Sequence, residues 1–167
     1  MKHMNINEMR QELVQLGGGA HALAIQILGN ADDAADAVQD ALMTVLTRPG
    51  AYDDKKGQLK PWFLRVVRNR CFDLLRRRHS SDIPVDELVD TAANPEQALD
   101  IAQRDQALKT ALASISTEQR QIIVLRDYLD LTYAEIADVL SVAQGTVMSR
   151  LHRARLALKE VLNGGGE

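Results

Sequence analysis

From Leu131 to Leu162 the chain reads LTYAEIADVLSVAQGTVMSRLHRARLALKEVL, and no other stretch restricts the fold as much. Thr132 followed three residues later by Glu135 has the spacing of a capping box, which satisfies free N–H groups where a helix begins. Ile136, Ala137 and Leu140 then recur at helical spacing. Ser141-Val142-Ala143 breaks that period, and Val147, Leu151, Ala154, Leu158 and Leu162 start a second apolar stripe. Two helices joined by a three-residue turn, with the small Ala137 at the expected crossing and a basic second helix, make a helix-turn-helix. Outside the second stripe lie Gln144, Thr146, Met148, Ser149, His152, Arg153 and Arg155, a face suited to the base edges of a major groove. A hairpin with merely solvated arginines would account for the charge. It would not account for the turn length and the crossing residue as well.

The rest of the chain is helical in pattern. Aromatic residues make up only 4%, while hydrophobic residues make up 46%, so a packed all-α chain is favoured over a sandwich or barrel. Gly17-Gly18-Gly19 is expected to interrupt a first helix, and Gly29-Asn30 to stop it. Asp32 to Leu46 reads as a second helix with Ala35, Val38, Leu42 and Leu46 inward, ended by Pro49-Gly50. Pro61 opens a third that runs to about Arg78. Residues 80–94, rich in acids and lacking any period, read as a flexible acidic linker. A helix from Pro95 to about Ser114 follows, and Ser116 or Thr117 caps another that runs to about Leu129. The expected architecture is two small helical domains, 5–79 and 95–163, the second holding the helix-turn-helix.

Charge is segregated along these pieces, which the net charge of −3 conceals. Residues 60–79 carry seven basic side chains against Asp73 alone, whereas residues 82–106 carry seven acids against Arg104. Residues 144–160 are basic again. Two basic patches on an acidic chain imply two contacts with a polyanion, each weak without a partner. The first patch, KPWFLRVVRNRCFDLLRRRH, combines a core stripe of Leu64, Val67, Cys71, Leu74 and Leu75 with a second face. That face holds Trp62, Arg65, Arg68, Asn69, Phe72 and Arg76. Guanidiniums hold phosphates and aromatic rings stack unpaired bases, the combination that single-stranded DNA requires. Phe63 is expected in the core. Trp62 is divided evenly between core and surface.

Nothing points to catalysis. His3, His21, His79 and His152 lack metal-ligand spacing, no phosphate-binding glycine loop follows a strand, and no metal or cofactor is expected. No apolar run reaches the length of a membrane span, and the single Cys71 suits a reduced, cytoplasmic protein.

Four segments together carry a resemblance: DDAADAVQDALMTVL, WFLRVVRNRCFDLLRRR, STEQRQIIVLRDYLDLTYAEIADVL and GTVMSRLHRARLALK. In this order, over about residues 20–162, they resemble the successive regions of bacterial extracytoplasmic-function (ECF) sigma factors of the sigma-70 family. The resemblance implies an alternative sigma factor that binds core RNA polymerase and directs promoter-specific transcription initiation. It implies that Asp36, Gln39 and Asp40 dock on the polymerase, against a bland alternative of a solvated acidic face. The loop from Tyr52 to Lys60 would capture a flipped base of the minus-ten element, beside Trp62, Arg65, Arg68 and Asn69. Arg120 and Arg126 would lie near the DNA backbone, and the helix from Gln144 would read the minus-thirty-five element. An anti-sigma factor is the further partner implied.

Several residues depart from the family pattern. Met148 stands where many relatives place Lys or Arg, Leu46 where they often have tryptophan, and Ala143 where Ser or Pro is usual. Two other functions remain to be weighed. A sigma-like decoy that sequesters an anti-sigma factor should lose the basic and aromatic residues of 60–79, which this chain keeps. A helix-turn-helix repressor would leave that second basic surface unexplained.

Overall fold

A computed structural model describes residues 4–79, apart from Pro49, Asp54 and Lys56, and residues 106–164. The expected linker at 80–94 and the start of the helix expected from Pro95 lie outside the described residues. Within them the chain is helical: α1 (Ile6–Leu28), α2 (Ala31–Thr47), α3 (Leu59–His79), α4 (Gln106–Ala113), α5 (Thr117–Ile123), α6 (Tyr133–Leu140) and α7 (Gln144–Gly164). A π-helical segment, Val124–Tyr128, continues α5.

Local chemistry sets these boundaries. Asn5 and Glu8 form a reciprocal capping box at the start of α1. Gly29 takes the left-handed conformation at φ 72°, where its N–H closes α1 onto the Ile25 carbonyl, and Asn30 at once caps α2 through the N–H of Asp33. Ser116 with Gln119 and Thr132 with Glu135 repeat the capping box at α5 and α6. Pro61 falls within the first turn of α3, where its missing N–H costs no helical hydrogen bond.

Helices α1, α2 and α3 form one bundle, and α4 to α7 form another. Their interior is apolar: Leu13, Leu23, Ile27, Phe63, Leu64 and Val67 in the first, Ile122, Leu125, Ile136, Val147 and Leu151 in the second, all buried. Phe63 is in the core as expected. Two expected stripes are shifted. On α2 the buried line is Ala34, Ala37, Val38, Ala41 and Val45, with Ala35 exposed and Leu42 and Leu46 at the margin. Small residues face inward there because α2 packs on both α1 and α3. On α7 the stripe ends at the half-buried Leu158, and Leu162 is exposed.

The three glycines do not break α1, which is continuous from Ile6 to Leu28. A Cβ at Gly19 would lie 2.8 Å from Cδ2 of Leu129, which belongs to the second bundle. The glycine marks a close approach rather than a turn. It is one sign of a contact that the sequence did not foretell: α3 packs on α6, and α1 packs on α5 and the π segment. The buried apolar cluster runs without interruption through both bundles.

Cys71 is fully buried, and burial pushes its thiol up to about 12. The neutral thiol is therefore favoured in the folded chain, a stabilisation present below the unfolded value and lost as pH rises from about 9 towards 12. Cys71 should resist thiol reagents at pH 8 and react only after denaturation, which a thiol titration with and without urea would check. Rapid labelling of the native chain would refute it.

Candidate nucleic-acid interface

The helix-turn-helix is built from α6, a turn at Ser141–Ala143 and α7. Ser141 supplies the left-handed residue, φ 57°, that ends α6. Val147, Leu151 and Ala154 anchor α7 against α5 and α6. Gln144, Met148, Ser149, His152 and Arg153 are left exposed, with Thr146 half-buried. The Ser149 hydroxyl donates back to the carbonyls of Gly145 and Thr146 at 3.3 and 3.2 Å, leaving its oxygen lone pairs for an outside donor. Arg155 is committed within the chain, its Nε donating to Asp127 Oδ2 at 3.2 Å, and this pairing raises its pKa. Arg153 is exposed beside Met148 and His152, and Arg150 is half-buried.

A second surface lies along α3. Tyr52 and Trp62 pack ring against ring, with centroids 5.0 Å apart and planes tilted by 47°. The Tyr52 hydroxyl donates to the Gly57 carbonyl at 2.8 Å, bracing the loop between α2 and α3. Together with Arg65 they wall a cavity of about 410 Å³, a volume within the range of ligand pockets. Arg68 stacks its guanidinium 4.7 Å above the Phe72 ring, and Asn69 is exposed. Aromatic faces, a cavity and guanidiniums therefore coincide on one side of α3. Trp62 is neither core nor free surface: it is half-buried in the cavity wall.

This face was expected to be open, and it is not. Arg65 and Arg68 are half-buried, and Phe72 packs against the core. Arg68 Nε donates to Oε1 of Gln121 on α5 at 2.9 Å, and Lys60 Nζ donates to the Leu129 carbonyl at 2.9 Å. Asp138 of α6 joins the cavity wall. Burial lowers the Arg68 pKa, offset in part by Glu118. Gln121, Leu129 and Asp138 were not singled out from the sequence, because a contact between separate domains leaves no local pattern.

Arg120 is also placed differently from expectation. It is 3% exposed, and its guanidinium donates to the carbonyls of Leu112, Ile115 and Gln26 and to the Thr117 hydroxyl. No phosphate can reach it in this arrangement. Arg126 is partly buried, donating to the Leu131 carbonyl at 2.7 Å and lying 4.9 Å from the Tyr133 ring centroid. Both arginines tie the second bundle together. On α2, Asp36, Gln39 and Asp40 are all exposed, and Asp40 pairs with Arg70 of α3 at 2.9 Å. Among the described residues no group of His, Cys, Asp and Glu side chains is arranged to hold a metal, and no helix is long and apolar enough to cross a membrane.

Comparison with known families divides the chain as its packing does. Residues 13–81 match the sigma-70 region 2 model and residues 105–158 the sigma-70 region 4 model. The ECF RNA polymerase sigma factor SigM of Mycobacterium tuberculosis is 34% identical over 148 residues, 85% of this chain and 70% of that protein. The chain belongs to the ECF sigma factors of the sigma-70 family. SigE of Mycolicibacterium smegmatis, also an ECF RNA polymerase sigma factor, is 33% identical over 147 residues, but the match spans only 56% of it. The sigma factor RpoE of Bartonella quintana, solved in complex with the anti-sigma factor NepR, is similar at TM-score 0.73 and 31% identity, covering 92% of this chain and 96% of that one. CnrH, in complex with the cytosolic domain of CnrY, shares the fold at TM-score 0.67 and 21% identity. As an ECF sigma factor the chain is a transcription regulator, an alternative sigma factor that directs transcription. Region 2 corresponds to α1–α3, and region 4 to α4–α7 with the helix-turn-helix.

Proposed function

We propose that this sigma factor joins core RNA polymerase in the cytoplasm, brings it to a two-part promoter and helps to open the duplex, with no catalytic step of its own. Residues 5–79 would serve the polymerase and the minus-ten element, and residues 95–163 the minus-thirty-five element. The observation that carries this reading is the presence of two basic surfaces of different chemistry on one chain. The aromatic cavity of Tyr52, Trp62 and Arg65 suits an unpaired base, whereas Gln144, Met148, Ser149, His152 and Arg153 suit a duplex groove. Tyr52, Lys60, Trp62, Arg65, Arg68 and Asn69 would meet the melted strand. Arg155 would act mainly through its pairing with Asp127. Transcription from a promoter library by purified core polymerase, with and without the chain, tests this. Indifference of the polymerase to the chain would refute it.

The α2 face of Asp36, Gln39 and Asp40 would dock on the polymerase, and an anti-sigma factor would compete for the chain, as the complex of RpoE with NepR suggests. Asp40→Arg reverses one charge on that face. The Asp40–Arg70 pair is exposed, so its loss should cost no more than about 1 kcal/mol and leave the fold intact. Affinity for core polymerase should fall by about tenfold or more, because like charges would then meet across the interface. Competition binding with labelled core enzyme measures this, and unchanged affinity would remove α2 from the docking surface.

A further inference from the structure

The exposed face of α7 is not uniform in its hydrogen-bonding chemistry. Gln144, Met148 and His152 follow one another at intervals of four residues, so they form a single line along the helix. Both ends of that line can donate hydrogen bonds, from the Gln144 amide and the His152 imidazole. Its centre cannot. Met148 is 55% exposed and takes no part in the apolar core. Beside it, Ser149 directs its hydroxyl hydrogen to the carbonyls of Gly145 and Thr146 and turns only lone pairs outward.

The cations of the helix are placed elsewhere. Arg150 is half-buried in a cleft with Ser116, Glu118 and Gln119, and Arg155 is paired with Asp127. Arg153 is exposed, but it lies five residues on, about 140° around the helix from Met148. Gly145, one turn before Met148 and Ser149, puts no side chain between them and a groove. Nothing inside the chain requires that absence, because a Cβ at Gly145 would meet open space. The centre of the face is thus a donor-free patch that a groove can approach closely.

In a major groove, guanine shows only acceptors, which such a patch would leave unpaired, and thymine alone shows a methyl group. We propose that Met148 is a specificity-determining residue that selects a thymine within the minus-thirty-five element, covering its 5-methyl group with the thioether side chain. The proposal deepens the sigma-factor reading of α7 and rests on it. Methionine suits this contact because it is unbranched and adapts to the apolar group that it meets. The adenine paired with that thymine adds an amino hydrogen, which the Ser149 oxygen is free to accept. A G·C pair offers an amino hydrogen as well, but no methyl group.

Promoter selection by core polymerase carrying the full chain, from a library randomised over the minus-thirty-five element, tests this. Wild type should enrich thymine at one position, where Met148→Ala loses the preference. Met148→Arg should replace thymine there by guanine, whose O6 and N7 a guanidinium reads in bidentate fashion. A second arm needs no variant. Deoxyuridine differs from thymidine only in lacking the 5-methyl group. Placed at that position, it should weaken engagement by the wild-type holoenzyme about fourfold, the contribution of one buried carbon. Met148→Ala should be indifferent to the exchange. Selection of the same bases by wild type and both variants would overturn the proposal. So would equal engagement of thymidine and deoxyuridine at every position of the element. Transcription run in parallel separates the two readings. A holoenzyme that transcribes selectively yet ignores the methyl group sinks the thymine contact alone, and a chain that never drives transcription sinks the sigma-factor reading beneath it.

Discussion

Arg120→Ala should destabilise the folded chain by about 3 kcal/mol or more, because it orphans several buried acceptors that each cost about 1–3 kcal/mol when unpaired. Those acceptors are the carbonyl of Leu112 near the end of α4, the carbonyl of Ile115 in the turn that follows, the Thr117 hydroxyl at the start of α5, and the Gln26 carbonyl on α1. The arginine is 3% exposed, so water cannot replace it without a cavity opening. Arg120→Lys should recover little, since an ammonium lacks the planar fork that serves several acceptors at once. Urea titration followed by circular dichroism measures the effect. Were Arg120 a phosphate contact, its loss would leave the unfolding midpoint unchanged and weaken only DNA binding.

Arg120 also shows where sequence reading stops. Its identity and its place beside a capping box were visible, but a cation in an amphipathic helix looks the same whether it meets phosphates or carbonyls. The elements themselves were legible, because each boundary has a local cause. Ser116 and Thr132 cap the helices that they were expected to introduce, Gly29 stops α1 through its left-handed φ, and Asn30, read with Gly29 as a stop, caps α2. The turn of the helix-turn-helix was legible for the same reason. What could not be read was any contact between residues far apart in the chain. Gly19 resembles a helix breaker until Leu129 is seen above it, and Gln121 resembles an ordinary amide until Arg68 reaches it. The half-burial of Arg68 has the same origin, and Phe72, read as an exposed stacking ring, packs against the core instead.

The packing also places the two basic patches in different energetic positions. Arg153 lies in water, where a phosphate contact is gained at little desolvation cost. Arg68 is already partly desolvated, stacked on Phe72 and held by Gln121. If α7 reads a groove and α3 a single strand, as proposed, the two contacts start from different states of burial. A single mutation should therefore affect one step and spare the other.

Trp62→Ala tests that division most directly. The ring forms the cavity wall with Tyr52 at a centroid distance of 5.0 Å, and stacking of one unpaired base on such a ring contributes about 1–3 kcal/mol. In complex with core polymerase, the variant should open duplex promoters at least about tenfold less well, the lower part of that range. Its initial engagement of duplex should change little, because α7 does not touch this wall. On a template melted in advance the defect should persist in strand capture, since the stacking platform itself is lost. Arg153→Ala should behave in the opposite way, losing about 1–3 kcal/mol of duplex engagement while leaving pre-melted templates nearly unaffected. Arg155→Ala should fall between wild type and Arg153→Ala, because Asp127 already holds much of that guanidinium. Urea midpoints for all three variants guard against loss of fold as the cause. If Trp62→Ala and Arg153→Ala failed identically on duplex and pre-melted templates, α3 and α7 would not divide the work, and the cavity beside Trp62 would have to be reassigned.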